Sequence, residues 1–408
     1  SMALADPKAT WIMQGWLFHH GAKFWQPTQI KALLNALPDD KMIVLDLWSE
    51  RHPVWNRTNA YYGKPWIWCM LHNFGGNINL SGLMDTVATA PFIALHHPSS
   101  GKMMGIGLTM EGIEQNPVMY DLMMENVWRD SPVNLNTWLP DYIFRRYGKK
   151  NIHAEKAWNI LRTTVYADTV TNGGTESIIT ARPTFIKNPG GTSTTILPYS
   201  SLDLINAWDN LIAAADKLKG SDGYRFDAVD VTRQVLANHA SDVQQQIAED
   251  FKNKSINAFK NNAARFIEII EDMDDLLSTR KDFLLGNWLE AAKSWGTNNE
   301  EKKLYEKNAR DLITLWGDKE SRLHEYACKQ WSGLLNGFYK KRWEQFFNYV
   351  ESELSKNKEP NFNYIEEQLK DWEWQWVNGQ EVYATKAKGD PVGKAKQIHK
   401  KYFSQISK

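Results

Sequence analysis

The spacing of apolar residues changes once along this chain, and that change constrains the fold more than any other feature of the sequence. Up to about Asn126, short apolar runs of strand length alternate with helical or loop segments, whereas from about Asn116 onward long segments carry the 3.6-residue period of helices. Parallel strands need long crossover connections, so a strand–helix–strand rhythm predicts an α/β domain with a mainly parallel sheet. The sequence therefore predicts an α/β domain over residues 1–126 and an all-α domain over residues 127–408.

The individual elements follow from the same periods. The first domain is predicted to hold an amphipathic helix at Pro27–Leu37 and four strands, at Trp11–Phe18, Met42–Trp48, Trp66–Phe74 and Met103–Leu108. In the second domain, Ser200-Ser201-Leu202-Asp203 is a predicted helix N-cap, and Lys394–Lys408 is a predicted end helix. Further helices are predicted at Ala154–Tyr166, Asp227–Phe251, Ile256–Leu277, Leu284–Trp295, Glu300–Leu315 and Glu320–Leu354. Residues 169–199 are rich in Gly, Thr and Pro and are predicted to form a long loop.

Composition and charge exclude several classes of partner. Lysine plus arginine and aspartate plus glutamate each number 48, so no net field would attract nucleic acid or an anionic membrane. The longest apolar runs are too short to span a bilayer. The two cysteines, Cys69 and Cys328, stand in no metal-type spacing and are too few for a disulfide framework. We expect a chain that binds neither nucleic acid nor membrane.

No phosphate-loop, serine-hydrolase or complete zinc motif occurs in the sequence. The nearest approach is His324-Glu325-x-x-Cys328, which lacks the second histidine of a zinc helix. We therefore expect neither a metal nor another cofactor. What remains is carboxylates at predicted strand ends in a chain with 19 tryptophans. Paired carboxylates and aromatic rings are the groups that glycoside hydrolysis uses, although core packing would account for most of the tryptophans.

Three carboxylates and two other polar residues stand at predicted strand ends, where α/β barrels place reactive groups. Glu111 is the first candidate for catalysis, and its alternative role is an N-cap or a loop salt bridge. Asp46 and Glu50 are weaker candidates, because a strand-end carboxylate often ties down a neighbouring loop. His72 and Asn73 could bind sugar hydroxyls or could be satisfied core residues.

Several longer motifs resemble one known family. They are Trp-Ile-Met-Gln-Gly-Trp-Leu-Phe at 11–18, Val-Leu-Asp-Leu at 44–47, Trp-Cys-Met-Leu-His-Asn-Phe-Gly-Gly-Asn at 68–77, Glu-Gly-Ile-x-Gln-Asn at 111–116, Phe-Leu-Leu-Gly-x-Trp-Leu-Glu at 283–290 and Ile-Thr-Leu-Trp-Gly at 313–317. Together they resemble the α-N-acetylglucosaminidases of glycoside hydrolase family 89, from near residue 10 to the C-terminus.

The resemblance implies the second half of an (α/β)8 barrel followed by a large C-terminal α-helical domain, with the sugar bound between them. The implied activity is retaining release of terminal α-linked N-acetylglucosamine from glycans. Glu111 aligns with the nucleophile of the family. Trp16, Trp316 and Tyr326 align with positions that shape the sugar pocket, and Leu323, His72 and Asn73 fall where they could help to line it. The implied location is extracytoplasmic, that is secreted, periplasmic or lysosomal, although no signal-peptide pattern occurs in the chain.

Stereochemistry supports a protein nucleophile. In an α-linked 2-acetamido sugar the leaving group is axial, and the acetamide lies on the same side of the ring as the leaving oxygen. The acetamide therefore cannot attack the anomeric carbon from the opposite side. A retaining enzyme must then supply a carboxylate roughly 5–5.5 Å from an acid/base partner. In the family that partner lies in an Asn-Glu motif upstream of the Gln-Gly-Trp strand. This chain holds no such motif before Gln14, so we expect the N-terminal domain, the first half of the barrel and the acid/base residue to be missing.

Two smaller departures concern the motifs themselves. Met110 stands where relatives usually place proline before the catalytic glutamate, and one residue is added between Trp316 and Tyr326. The missing acid leaves a second hypothesis open, a carbohydrate-binding or structural module without catalysis. A half-barrel would leave open sheet edges, which predicts a homo-oligomer or complementation by an upstream fragment.

Overall fold

A computed structural model gives the fold of residues 2–189 and 193–407, the part of the chain that the structure describes. These residues divide into two compact units. The first comprises residues 2–74 and 82–139, and the second comprises residues 75–81, 140–189 and 193–407. The sequence placed the boundary after residue 126, whereas the structure places it within a helix, after Leu139, and assigns the short segment Gly75–Ser81 to the second unit.

The first unit is built on a four-stranded sheet. Its strands are β1 (Trp11–Gln14), β2 (Met42–Asp46), β3 (Pro65–Met70) and β4 (Lys102–Leu108), paired in the order β1-β2-β3-β4. All three pairings are parallel, with Trp11 opposite Met42, Val44 opposite Trp66 and Cys69 opposite Gly107. The predicted parallel sheet of four strands is confirmed. Parallel order brings all four carboxyl ends to one edge of the sheet.

Helices precede, connect and follow these strands. They are α1 (Met2–Ala5), α2 (Trp16–His20), α3 (Pro27–Leu34), the single left-handed turn α4 (Asn59–Tyr62), α5 (Met84–His96), α6 (Pro117–Glu125) and the first part of α7 (Leu135–Tyr147). Buried side chains such as Val44, Trp66 and Leu122 form the core of this unit. The core fills with apolar residues from alternate strand positions and from the inner helix faces.

The second unit is helical throughout its regular structure. Its helices are α8 (Ile152–Thr163), α9 (Ser201–Ala213), α10 (Ala215–Leu218), α11 (Asp222–Lys252), α12 (Ile256–Leu277), α13 (Leu285–Lys293), α14 (Asn299–Leu312), α15 (Lys340–Ser355), α16 (Phe362–Val377) and α17 (Pro391–Ile406). The long helix α11 is buried over most of its length and packs against α9, α12 and α17. Between α8 and α9 the described residues form no helix or strand, which agrees with the loop predicted at residues 169–199. Within that loop, Gly190 and Gly191 lie outside the described residues.

Several predicted elements are wrong in part. The predicted strand Trp66–Phe74 ends at Met70. The predicted strand Trp11–Phe18 ends at Gln14, because Gly15 turns the chain and Trp16–His20 is helical. The predicted helix Glu320–Leu354 is helical only from Leu335, where a π-helical stretch leads into α15. Residues 320–334 form turns instead, and Glu325 and Cys328 there adopt positive φ angles, which a right-handed helix does not allow.

Three smaller expectations have clear outcomes. Ser200 is the N-cap residue of α9, as predicted, but its side chain makes no capping hydrogen bond. Cys69 and Cys328 are both buried and unpaired with each other. Among the helices of the described residues, none has the length and apolar character needed to cross a bilayer.

Candidate active site

The carboxyl edge of the sheet gathers the predicted polar residues of the first unit. Trp16 follows β1, Asp46 ends β2, and Glu50 lies four residues further on. His72 and Asn73 follow β3, and Glu111 follows β4. Strand direction alone therefore places every catalytic candidate of this unit on one side.

Aromatic rings pack around Trp16 at this edge. The ring of Trp16 lies 5.7 Å from that of Trp48 and 5.8 Å from that of Phe74, and the Trp48 and Phe74 rings meet edge-on at 5.0 Å. His52 and His19 stack at 4.4 Å beside Trp48. Trp16 is half-buried, so part of its ring stays accessible while its neighbours hold its orientation. Such a ring can offer a flat apolar face to a sugar.

Asp46 is committed to backbone hydrogen bonds. Its carboxylate accepts the N–H of Val54 with both oxygens at 3.1 Å and the N–H of Trp55 at 3.0 Å. Burial raises the pKa of Asp46 to about 6, although these N–H bonds act in the opposite direction. The residue fastens the loop after β2, which is the structural role that the sequence left open.

Glu50 has a similar role one strand further. Its carboxylate accepts the N–H of His72 at 2.7 Å and the N–H of Leu71 at 3.0 Å. Burial raises the pKa of Glu50 to about 7. Glu50 thereby fixes the chain where β3 ends, and at this point His72 adopts a φ of 67°. A non-glycine residue in the left-handed region costs free energy, so the Glu50 contacts stabilise a strained backbone.

His72 is a buried, neutral imidazole in this arrangement. Burial lowers its pKa to about 4, and its Nε2 atom is buried with no hydrogen-bond partner. The ring packs edge-on against Tyr120 at 5.4 Å. The structure thus places His72 at the predicted edge of the sheet and packs its ring against α6.

Glu111 lies on an irregular segment between β4 and α6, and its side chain is exposed. The next carbonyl, that of Gly112, accepts three hydrogen bonds. They come from Asn73 Nδ2 at 3.2 Å, Gln115 Nε2 at 2.9 Å and the Tyr120 hydroxyl at 2.9 Å. The sequence singled out Asn73 but neither Gln115 nor Tyr120. Gln115 stands in the 111–116 motif, whereas nothing local distinguishes Tyr120 from a core residue of an amphipathic helix.

The second unit holds the other three predicted residues on one turn-rich segment. The rings of Trp316 and Tyr326 meet at 4.6 Å with an interplanar angle of 62°. Leu323, on the same segment, is 44% exposed. Behind them, the backbone N–H of Glu325 donates to the Thr314 carbonyl at 2.7 Å, which closes the segment into a loop.

A buried arginine anchors this loop. Arg342 on α15 ion-pairs with Glu325 and, at 2.9 Å, with Glu373 on α16. Its second terminal nitrogen, Nη2, donates to the carbonyls of Thr180 and Ala181 at 2.6 and 2.8 Å. Charged groups in a protein interior need such pairing, and here it fixes the backbone next to Tyr326.

Comparison with known proteins decides the family. The sequence-family model of the α-N-acetylglucosaminidase TIM-barrel domain matches residues 1–130. The sequence-family model of the C-terminal domain of the same enzymes matches residues 138–401. The chain belongs to the α-N-acetylglucosaminidase family, glycoside hydrolase family 89. The resemblance inferred from the sequence motifs is confirmed.

Individual members of the family agree with this assignment. Human α-N-acetylglucosaminidase is 35% identical over 407 residues, which are 99% of this chain and 54% of the human protein. A family 89 glycoside hydrolase from Clostridium perfringens, solved with 2-acetamido-1,2-dideoxynojirimycin, is 33% identical, with a TM-score of 0.89 over 99% of this chain and 46% of that one.

A second structure of the Clostridium perfringens enzyme shows a carbohydrate complex. In it, two glutamates are replaced by glutamine and the enzyme holds its substrate, GlcNAc-α-1,4-galactose. That structure is 34% identical with a TM-score of 0.89, covering 98% of this chain and 45% of that one. The chain spans about half the length of the α-N-acetylglucosaminidases that it matches.

Proposed function

We propose that Glu111 is the nucleophile of a retaining α-N-acetylglucosaminidase that releases terminal α-linked N-acetylglucosamine from glycans. One contrast supports this proposal most. Of the three strand-end carboxylates, Asp46 and Glu50 are buried and accept backbone N–H bonds, whereas Glu111 is exposed at the same edge of the sheet. The family of the chain and the substrate complex of its Clostridium relative point to this chemistry.

The proposed reaction has two steps. The Glu111 carboxylate attacks the anomeric carbon, the bond to the glycosidic oxygen breaks, and the leaving oxygen takes a proton from a general acid. Water then attacks the glycosyl ester, giving its proton to the same residue acting as base, and Glu111 is released as a carboxylate. Two displacements at one carbon retain its configuration.

The acid/base role in this proposal falls to neither Asp46 nor Glu50. Asp46 and Glu50 would have to leave their backbone partners to reach a substrate, and the freed N–H groups would then be buried and unpaired. Leaving such a donor unsatisfied costs about 1–3 kcal/mol per group. The proposal therefore assigns both residues to loop support.

Substrate contacts are proposed for the other predicted residues. Trp16 and Trp316 offer partly accessible ring faces, and Tyr326 packs against Trp316. Leu323 would add an apolar contact. His72 and Asn73 remain candidates to bind sugar hydroxyls, although the Asn73 amide group already donates to the Gly112 carbonyl. We further propose an extracytoplasmic location, in keeping with glycan substrates.

An activated substrate tests the nucleophile in the chain as it stands. A 2,4-dinitrophenyl α-N-acetylglucosaminide needs no general acid, because its leaving phenolate is stable without a proton. We expect the 408-residue chain to release dinitrophenolate and the Glu111→Gln variant to lose at least about 100-fold in rate. The matched control is Glu114→Gln, three residues away, which should keep the wild-type rate. Binding of N-acetylglucosamine without any release would instead favour a carbohydrate-binding module.

A further inference from the structure

Three side chains converge on the peptide carbonyl that follows Glu111. Asn73, Gln115 and Tyr120 each donate a hydrogen bond to the Gly112 oxygen, over 2.9 to 3.2 Å. We propose that these three residues are positioning residues, which hold the Glu111 backbone in the orientation needed for attack on the sugar. The inference rests on the proposed role of Glu111 as nucleophile.

The donors also bond to one another, so they act as one group. The Tyr120 hydroxyl accepts from Asn73 Nδ2 at 3.1 Å and from Gln115 Nε2 at 3.2 Å while it donates to Gly112. Linked hydrogen bonds polarise one another and strengthen the whole network. Burial raises the pKa of Tyr120 above its usual value, so the hydroxyl stays protonated and remains a donor.

The segment that carries Glu111 needs external support. Residues 109–116 form neither helix nor strand, and Glu111 itself is exposed. On its N-terminal side, Thr109 donates its N–H to the Met70 carbonyl at 3.0 Å and its hydroxyl to the Leu47 carbonyl at 2.8 Å. On its C-terminal side, the Gly112 carbonyl is the anchored atom. Glu111 therefore lies between two residues held by hydrogen bonds, Thr109 and Gly112, which are three positions apart.

The two amide groups direct their nitrogens, not their oxygens, toward the Gly112 carbonyl. Asn73 Oδ1 and Gln115 Oε1 are both buried with no hydrogen-bond partner. Buried acceptors left unpaired are uncommon in native proteins and cost free energy. Both amides instead direct their nitrogens to Gly112 and Tyr120.

The network also gives a physical role to two recognisable motifs. Asn73 belongs to the 68–77 run and Gln115 to the 111–116 run, which are separate in sequence. They meet at one oxygen through Tyr120, which α6 supplies. The two motifs thus form a single support for the residue proposed to attack.

Tyr120→Phe is the direct test, because it removes the hydroxyl and keeps the ring that packs on His72. With the dinitrophenyl substrate, we expect the rate of dinitrophenolate release at saturation to fall by about 10- to 100-fold, the loss typical of a small misplacement of a catalytic group. The affinity for N-acetylglucosamine should change by less than about twofold, since no ligand contact is lost. The matched control is Tyr349→Phe on α15, which loses a hydroxyl that accepts the Asn361 N–H. Its rate should not change.

Gln115→Met provides the second variant, should Tyr120→Phe fail to fold. It should slow the reaction similarly, and the double variant should cost less than the sum of the two, because both changes affect one network. If both variants fold and react at the wild-type rate while Glu111→Gln is inactive, the positioning role is wrong. The role of Glu111 as nucleophile would then still be supported. An active Glu111→Gln would overturn the nucleophile itself.

Discussion

The carboxylate of Glu50 accepts the backbone N–H of His72 at 2.7 Å, deep beneath the carboxyl edge of the sheet. This bond holds a histidine whose φ is 67° next to Asn73, one of the three donors to the Gly112 carbonyl. The buried carboxylate of Glu50 thus holds the chain at the end of β3, whereas the side chain of Glu111 is exposed to solvent. Burial, more than position in the sequence, separates a structural glutamate from a candidate nucleophile.

The protonation of Glu50 should be visible in the pH dependence of stability. Burial raises its pKa from 4.5 to about 7, so the folded state holds this proton more tightly than the unfolded chain. The stability that Glu50 contributes is therefore fully present below pH 4.5 and is lost as the pH rises to about 7, by about 3 kcal/mol at most.

Urea unfolding of the wild type and Glu50→Gln at pH 5 and pH 7.5 tests this. The free energy of unfolding of the wild type relative to the variant should decrease between the two pH values, since glutamine carries no proton to lose. The exposed Glu249→Gln serves as control and should run parallel to the wild type. Parallel curves for Glu50→Gln as well would contradict the raised pKa.

Loss of Arg342 should destabilise the helical unit strongly. Arg342→Ala leaves the buried carboxylates of Glu325 and Glu373 without their shared cation and frees the carbonyls of Thr180 and Ala181. Breaking a buried pair in this way costs about 3–5 kcal/mol. Denaturant unfolding should show that loss. Arg225→Ala, which removes one bond to the Lys219 carbonyl, should cost no more than about 1 kcal/mol; equal losses would mean that the buried network adds nothing.

Gly75 should be irreplaceable for sugar binding through Tyr326. Its φ is 59°, and a Cβ there would collide with the backbone carbonyl of Tyr326. Gly75→Ala should therefore displace that backbone and weaken N-acetylglucosamine binding by about tenfold or more, measured by calorimetry. Gly220→Ala meets open space and should bind normally. Unchanged affinity in Gly75→Ala would argue against a sugar contact at Tyr326.

The edges of the sheet should mediate association. In the described residues β1 pairs only with β2, and β4 only with β3. Ile12 on β1 is 61% exposed and Met104 on β4 is 58% exposed. Unpaired strands with exposed apolar residues tend to recruit another strand. We expect light scattering to show a homo-oligomer.

A charge on the β1 edge distinguishes this from non-specific association. Ile12→Lys should disrupt the assembly, whereas Ile152→Lys, at a helix position of 60% exposure, should not. A monomer would contradict the expectation, as would an assembly that Ile12→Lys leaves unchanged.

The sequence predicted the parallel sheet because short apolar runs of strand length alternate with helical segments, and parallel strands need such crossover connections. It overextended the first strand because apolar residues resume directly after Gly15, whereas in the structure Gly15 is the N-cap residue of α2. A Cβ at Gly15 would lie 2.8 Å from the Leu45 carbonyl, so the position favours glycine. It also read residues 320–334 as helix from their spacing. That segment is instead held open by the Glu325–Arg342 pair, a tertiary contact that periodicity cannot reveal.

In the candidate site too, some features could be predicted from the sequence and others depend on tertiary contacts. Glu111, Asp46 and Glu50 could all be found from strand ends, but only burial and hydrogen bonds separate their roles. Tyr120 could not be found, because its part in the site depends on where α6 places its hydroxyl relative to Gly112. Residues that act through a neighbour's backbone leave little signal in the sequence.

Mapping the covalent intermediate tests the central claim most directly. The 408-residue chain would be mixed with the 2,4-dinitrophenyl α-N-acetylglucosaminide, quenched in acid within the first turnover, digested and analysed by mass spectrometry. The proposed mechanism predicts one N-acetylglucosaminyl group on the peptide that contains Glu111, located on that carboxyl by fragmentation and lost in Glu111→Gln. An adduct on Asp46 or Glu50, or none at all, would contradict it.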